Sequence, residues 1–393
     1  MPRPEVPTFR LAAFYFAHFT AVGMVAPYLG PYLKTLGFSP SQIGELTALL
    51  VAGRMVAPTL WGWIADHTGR RMGVVRVTTL LAAASAALLL IVKGYVLLGV
   101  TMALFGFFWS ASLPQFEAVT LNHLGTRIEA YARIRVWGSI GFIVTATAFG
   151  VLLQGAGMAT FPQWLVILVG VVWLAALCTP EGRRPPIAPV REALHRVIAR
   201  PPVFALLAVV LLMQWAHGPY YAFYTIFLEE HGYTRMVAGQ LWSLGVAAEV
   251  VLFLVMHRLL PAWGLRRLML TSLFAGTVRW LLVAYGVDSI AGLVAAQCLH
   301  AATFGMHHVA AVQLVHHHFT GRHQGRGQAL YSSVAYGFGG AIGAMTSGHL
   351  WVAIGGPATY ALAAMICAIA GLVAWRWLER DGARPATTPA RVS

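Results

Sequence analysis

Charge is what this sequence has least of. Only 10% of its 393 residues are charged, while 58% are hydrophobic. Soluble domains carry about 25% charged residues, so there is too little polar surface here to cover a globule in water. Cysteine is scarcer still. Cys178, Cys298 and Cys367 are the three, at no disulfide or metal-ligand spacing, and they read as small apolar side chains within apolar runs. No nucleophile–base constellation, Walker motif or appended domain is visible, which argues against an enzyme and against ATP-driven pumping. Nothing points to a cofactor or a resident metal. Nor is a cleavable leader expected, because the first apolar run starts near Phe9, lacks a cleavage site and is long enough to span.

What the chain does have is apolar runs of about 20 residues from end to end. They predict an all-α membrane protein with twelve transmembrane helices, at 9–33, 41–64, 73–92, 95–121, 131–155, 161–178, 202–229, 237–257, 267–286, 289–315, 328–354 and 357–378. A linker at 179–201, rich in Pro and Arg, separates an N-terminal six-helix bundle (1–178) from a C-terminal one (202–393) that ends in a short tail. The net charge of +14 would suit nucleic acid in a soluble protein, but its placement gives another meaning. Arg70, Arg71 and Arg76 follow the second run, Arg127 the fourth, and Arg183, Arg184, Arg191, Arg196 and Arg200 the sixth. Arg258, Arg266 and Arg267 follow the eighth, and Arg322 and Arg326 the tenth; Arg3, Arg10, Arg376, Arg380, Arg384 and Arg391 flank the ends. Intervening loops hold little more than Lys34, Lys93 and Arg235. This alternation predicts cytoplasmic termini and a cytoplasmic central loop, and makes nucleic acid an improbable partner.

The two sets of six repeat one another at an offset of about 195 residues. "SQIGELTALLVAG" at 41–53 corresponds to "MVAGQLWSLGVAA" at 236–248, with Gly44 matching Gly239, and "DHTGRR" at 66–71 faces "PAWGLRR" at 261–267. Repeats of this size build many secondary transporters, with the solute site near mid-membrane between them. The loop "GWIADHTGRR" (62–71) resembles the signature G-x-x-x-D-R/K-x-G-R/K-R/K of the major facilitator superfamily, with His67 standing at a usually basic position. That resemblance implies a gating role for Asp66, Gly69, Arg70 and Arg71, latching the halves together when the opposite side is open.

Ionisable residues at the centre of a span cost roughly 2.5–3.5 kcal/mol on insertion scales and persist mainly at polar cavities or in pairs. Here they are Arg54, Glu117, Arg135, Glu249, Arg279, His300, His307 and His308, with Arg54 and Glu249 at equivalent positions of the repeat. "PQFEA" (114–118) and "RIRVWG" (133–138) resemble sugar–proton symporters related to lactose permease. The resemblance implies solute binding by Glu117 and Arg135, with Phe142 as a stacking aromatic. "VAAEVV", "GTVRWL" and "CLHAATF" resemble the helices that carry those symporters' proton-linked residues, and so assign proton coupling to Glu249, Arg279 and His300. One departure is plain: Thr303 stands where those symporters carry an acid.

Across nearly the whole chain the sequence is similar to the phenylpropionate permease group, most specifically in "HGPYYAFYTIFLEEHGY" (217–233), "GQLWSLGVAAEVVLF" (239–253) and "CLHAATFGMHHVAAVQ" (298–313). This implies a monomeric carrier in a bacterial inner membrane, importing an aromatic acid such as 3-phenylpropionate together with protons. Tyr221 joins the expected solute site, since aromatics suit an aromatic solute and an arginine suits its carboxylate. Alternatives are a proton-antiporting exporter and an uncoupled sugar or nucleoside facilitator. His316, His317 and His318 are expected in a solvated loop, because consecutive helical residues point different ways.

Overall fold

The computed structural model describes residues 6–125, 127, 129–182, 194–319 and 323–379. Arg3, Arg183, Arg184, Arg191, Arg322, Arg380, Arg384, Arg391 and most of the expected linker lie outside these residues. Among the described residues, nine helical stretches are long and apolar enough to cross a membrane. Two of them, Arg235–Tyr285 and Gly325–Trp377, are twice the needed length. Each is broken by a glycine in a backbone conformation closed to other residues: Gly264 at φ 74°, ψ 167° and Gly355 at φ 79°, ψ 172°. A further span is interrupted by a π turn, running Ile290–Cys298, Ala301–Met306 and His307–His318. Twelve spans result, as the apolar runs predict.

The remaining spans are Thr8–Thr35, Pro40–Thr68, Arg71–Leu90, Tyr95–Leu124, Ala130–Ala156, Met158–Cys178 and Pro201–Glu230. Their turns repeat with the sequence. Gly37 (φ 84°) and Gly232 (φ 83°) close the first turn of each half, and Gly69 (φ 69°) and Gly264 (φ 74°) the second. Ser39 and Thr234 cap the helices that follow, their hydroxyls accepting from the backbone N–H of Gln42 and Val237. Large apolar side chains such as Leu97, Val100, Phe274 and Leu372 face outward, as lipid contact requires. His316–His318 form the last turn of the tenth span and are not a loop; Leu314 and Val315, buried just before them, keep that face of the helix packed.

The halves meet at one end of the molecule. There the second span crosses the eleventh, and the fifth crosses the eighth, backbone against backbone. A Cβ at Gly44 would lie 2.6 Å from the Ala344 carbonyl oxygen, and one at Gly239 would collide with the Ala146 carbonyl. Gly348 rests on Pro40 and Ser41, and Gly150 on Arg235 and Met236. Small residues make such close approach available in a membrane. Lys34 pairs with Glu230 at 2.7 Å, Glu45 with His349 at 3.2 Å, and Arg235 donates to the Leu153 carbonyl at 3.2 Å. Towards the other end, which holds Asp66 and the start of the first span, no hydrogen bond or ion pair joins the halves among the described residues. Among the described residues, the molecule is thus closed at one end and parted at the other.

Candidate functional site

Four helix irregularities lie between these ends. The second span tightens to a 3₁₀ turn at Gly53–Met55, and the seventh bends at His217 between Pro201–Ala216 and Gly218–Glu230. π turns occupy Ala301–Met306 in the tenth span and Ser333–Gly339 in the eleventh. Such turns re-aim side chains and collect at functional sites. They present Arg54, Tyr221, His300 and Tyr336 towards the region between the halves.

In the first half, Glu117 and Arg135 are both half-buried. The Arg135 guanidinium sits 4.0 Å from the centre of the Phe19 ring and 5.6 Å from that of Tyr15, a cation–π cradle. The Tyr131 hydroxyl donates to Glu117 at 3.5 Å. Glu117 and Arg135 interact electrostatically but are not in ion-pair contact among the described residues. Phe142 is buried, its backbone against Gly23 of the first span and its ring 6.4 Å from that of Trp242. Through Trp242 its ring approaches the opposite half.

In the second half, the His300 Nε2 lies 3.7 Å from a Glu249 carboxylate oxygen. Arg279 is fully buried. It donates to Thr303 Oγ1 at 2.9 Å and to Gln297 Oε1 at 3.5 Å, and its guanidinium lies 4.4 and 4.3 Å from the ring centres of Tyr220 and Trp280. His217 completes this nest. Its Nδ1 is 2.7 Å from the Met213 carbonyl and its Nε2 3.5 Å from Arg279. A proton on Nδ1 would satisfy the carbonyl and leave Nε2 as the acceptor for Arg279. Thr303, the departure from the symporter pattern, therefore fills its place as a hydrogen-bond acceptor for Arg279.

The two sets face one another. Arg135 reaches Glu249 and His308 electrostatically across the gap. Tyr221 and Tyr336, both half-buried, lie within electrostatic reach of Glu249 and Arg54. Among the expected site residues, Glu117, Arg135, Tyr221, Glu249 and His300 are half-buried or lie beside one another, while Arg279 is fully buried and Phe142 lies near Trp242. The loop residues sit apart, at the parted end. Arg71 bridges Asp66 and, at 2.7 Å, Gln115, while Gly69 provides the left-handed turn and Arg70 is exposed.

A model of the MFS_1 like family matches residues 8–362. The chain belongs to that family. It is a multi-pass membrane protein of the major facilitator superfamily, a secondary transporter and not an enzyme. It is 28% identical over 358 residues to the "Probable 3-phenylpropionic acid transporter" of Escherichia coli (strain K12), covering 88% of this chain and 91% of that one. It is also 28% identical over 345 residues to the maltose permease of Geobacillus stearothermophilus, covering 86% of each. Among solved structures, the nucleoside transporter NupG superposes with a TM-score of 0.77 at 17% identity, over 94% of this chain and 98% of that one. An auto-inhibited peptide transporter of the POT family gives 0.71 at 13%, over 96% and 98%. Both share the fold of this transporter.

The sequence alone did not single out Tyr331 and Tyr336 for the site. Their hydroxyls are 3.2 Å apart, and His308 Nδ1 lies 3.0 and 3.1 Å from them. Residues five apart on a regular helix point about 140° away from one another, and only the π turn brings this pair together. A second grouping was equally hidden: His317, His318 and Glu379 place their ligand atoms within 4.8 Å of one another, from the ends of the tenth and twelfth spans.

Proposed function

We propose that this transporter imports a small aromatic acid, such as 3-phenylpropionate, together with protons, by rocking residues 1–178 against 202–393. The observation that carries the coupling is the placement of Glu249. Its carboxylate is half-buried between His300, 3.7 Å away in its own half, and Arg135 in the opposite half. A carboxylate facing a cation across a moving interface has two states of different charge balance. Solute arriving between Arg135 and Glu249 disturbs that balance, and a proton taken by Glu249 restores neutrality so that the loaded site can close. With the termini cytoplasmic, as the arginine distribution predicts, the parted end faces the cytoplasm of a bacterial inner membrane. The loop of Asp66, Gly69, Arg70 and Arg71 would then close that end in the alternate state. Similarity to a probable 3-phenylpropionic acid transporter supports the solute class.

Thr303 favours one other reading, an uncoupled carrier, because Arg279 meets a neutral hydroxyl at the position where symporters place an acid. Proton flux into proteoliposomes separates the two. 3-Phenylpropionate should draw protons inward, while a nucleoside and a disaccharide should not. Binding of the acid without any proton movement would replace symport by facilitated exchange.

A further inference from the structure

Three arginines lie at mid-span between the halves, and they differ in what neutralises them. Arg135 has Glu117 and Glu249 within electrostatic reach. Arg279 is sealed in a nest of Thr303, Gln297, Tyr220 and Trp280. Arg54 is half-buried, and the phenols of Tyr221 and Tyr336 are polar groups within its electrostatic reach. Among the described residues, no carboxylate pairs with its guanidinium and no hydrogen-bond acceptor touches it. An arginine at this depth is expensive without a compensating anion.

The repeat explains how this arises. Arg54 and Glu249 are equivalent, and each sits where its span crosses one from the other half. Glu249 has Arg135 of the fifth span within electrostatic reach. On the eleventh span, which this turn of the second span meets, the Ser333 hydroxyl donates to the Met55 carbonyl at 3.1 Å, one residue from Arg54. Gly337 presses on the same turn, where a Cβ would stand 3.1 Å from the carbonyl carbon of Arg54. One crossing therefore holds a cation and an acid, and the other holds a cation and a serine.

The geometry points to Arg54 as the residue that binds the carboxylate of the transported solute, with Tyr221 and Tyr336 flanking it. The inference rests on the proposed reading of this protein as a carrier of aromatic acids, and it assigns the carboxylate to Arg54, leaving Arg135 to serve Glu249. A guanidinium grips a carboxylate through two parallel N–H donors, phenol hydroxyls can donate to the same oxygens, and the tyrosine rings offer a face to the solute's ring. Arg54 is held by a turn that contacts the opposite half, so a solute bound there touches both halves at once.

The test compares 3-phenylpropionate with its uncharged amide, 3-phenylpropanamide, in binding to the purified full-length protein. Wild type should prefer the acid. Arg54→Gln should weaken acid binding roughly 10- to 100-fold, as loss of a charge-assisted hydrogen-bonded pair does, while amide binding stays unchanged. Ser333→Asp, which places a competing acid beside Arg54, should weaken the acid selectively as well, and Arg54→Lys should recover part of the preference. Equal weakening of acid and amide in both Arg54→Gln and Ser333→Asp, or an undiminished preference in both, overturns the assignment. A wild-type protein that ignores 3-phenylpropionate altogether overturns the proposed solute class, and this assignment with it.

Discussion

The two crossings that join the halves are alike at one end and unlike in the middle. At the closed end Gly44 meets Ala344 as Gly239 meets Ala146, and Gly348 meets Pro40 as Gly150 meets Arg235. Each contact reproduces its partner through the repeat. At mid-span the two crossings differ: Glu249 has Arg135 within electrostatic reach in one, while in the other Ser333 bonds the Met55 carbonyl next to Arg54. The difference separates two jobs. Rocking needs both seams to open and close together, which favours matched small residues. Chemistry needs a site with direction, and a pair of identical crossings would give it none.

The largest effect should follow from erasing the asymmetry at its acidic member. Glu249→Gln keeps the shape of the side chain and removes its titration. Uphill accumulation of the solute should be lost, while exchange of labelled for unlabelled solute across the same membrane continues. Accumulation that persists in this variant would remove Glu249 from coupling and shift attention to His300, 3.7 Å away. The proton flux evoked by the solute should disappear in step with accumulation.

A smaller but measurable effect tests the symmetric part. Leucine at Gly239 must push against the Ala146 carbonyl, and leucine at Gly44 against that of Ala344. Overpacking costs about 1–3 kcal/mol, which shifts the balance of closed and open forms by roughly 5- to 150-fold. Both variants should expose a cysteine placed at this end to a membrane-impermeant reagent, and to a similar degree. If one seam tolerates the leucine and the other does not, the crossings are not mechanically equivalent and the rocking picture needs a leading edge.

Much of this architecture is legible in the sequence because its signals are local. Apolar length gives the spans, and Gly37, Gly69, Gly232 and Gly264 mark turns that only glycine makes comfortably. The equivalence of Arg54 and Glu249 is likewise plain from the repeat. What each meets is not, since Ser333 and Arg135 come from other spans, and their rotation depends on the π turn of the eleventh. The same holds for Phe142. Its close packing on Gly23 of the first span and its approach to Trp242 of the other half are contacts that spacing along one helix does not record. Arg279 is expected at the site by pattern, and its burial beside Tyr220 and Trp280 is a matter of packing that no spacing records.

The smallest expected effect concerns the parted end, where the repeat is again incomplete. Arg71 bonds Asp66 and Gln115, whereas its equivalent, Arg266, donates to the Trp375 carbonyl, and Pro261 stands where Asp66 would be repeated. Only one half therefore carries an acid in this loop. If the acid helps the halves meet at this end, Asp66→Asn should slow transport and spare solute binding. The slowing should be roughly two- to fivefold, because Asp66 is more than half exposed and exposed ion pairs contribute about 0.2–1 kcal/mol. The effect should shrink further at high salt, which screens the same interaction in the wild type. Initial uptake rates of the two proteins at low and high ionic strength measure it. An unchanged rate at low salt would reduce the loop to a set of topology-fixing arginines, and would leave the closed-end glycine seams as the parts of this molecule that govern its rocking.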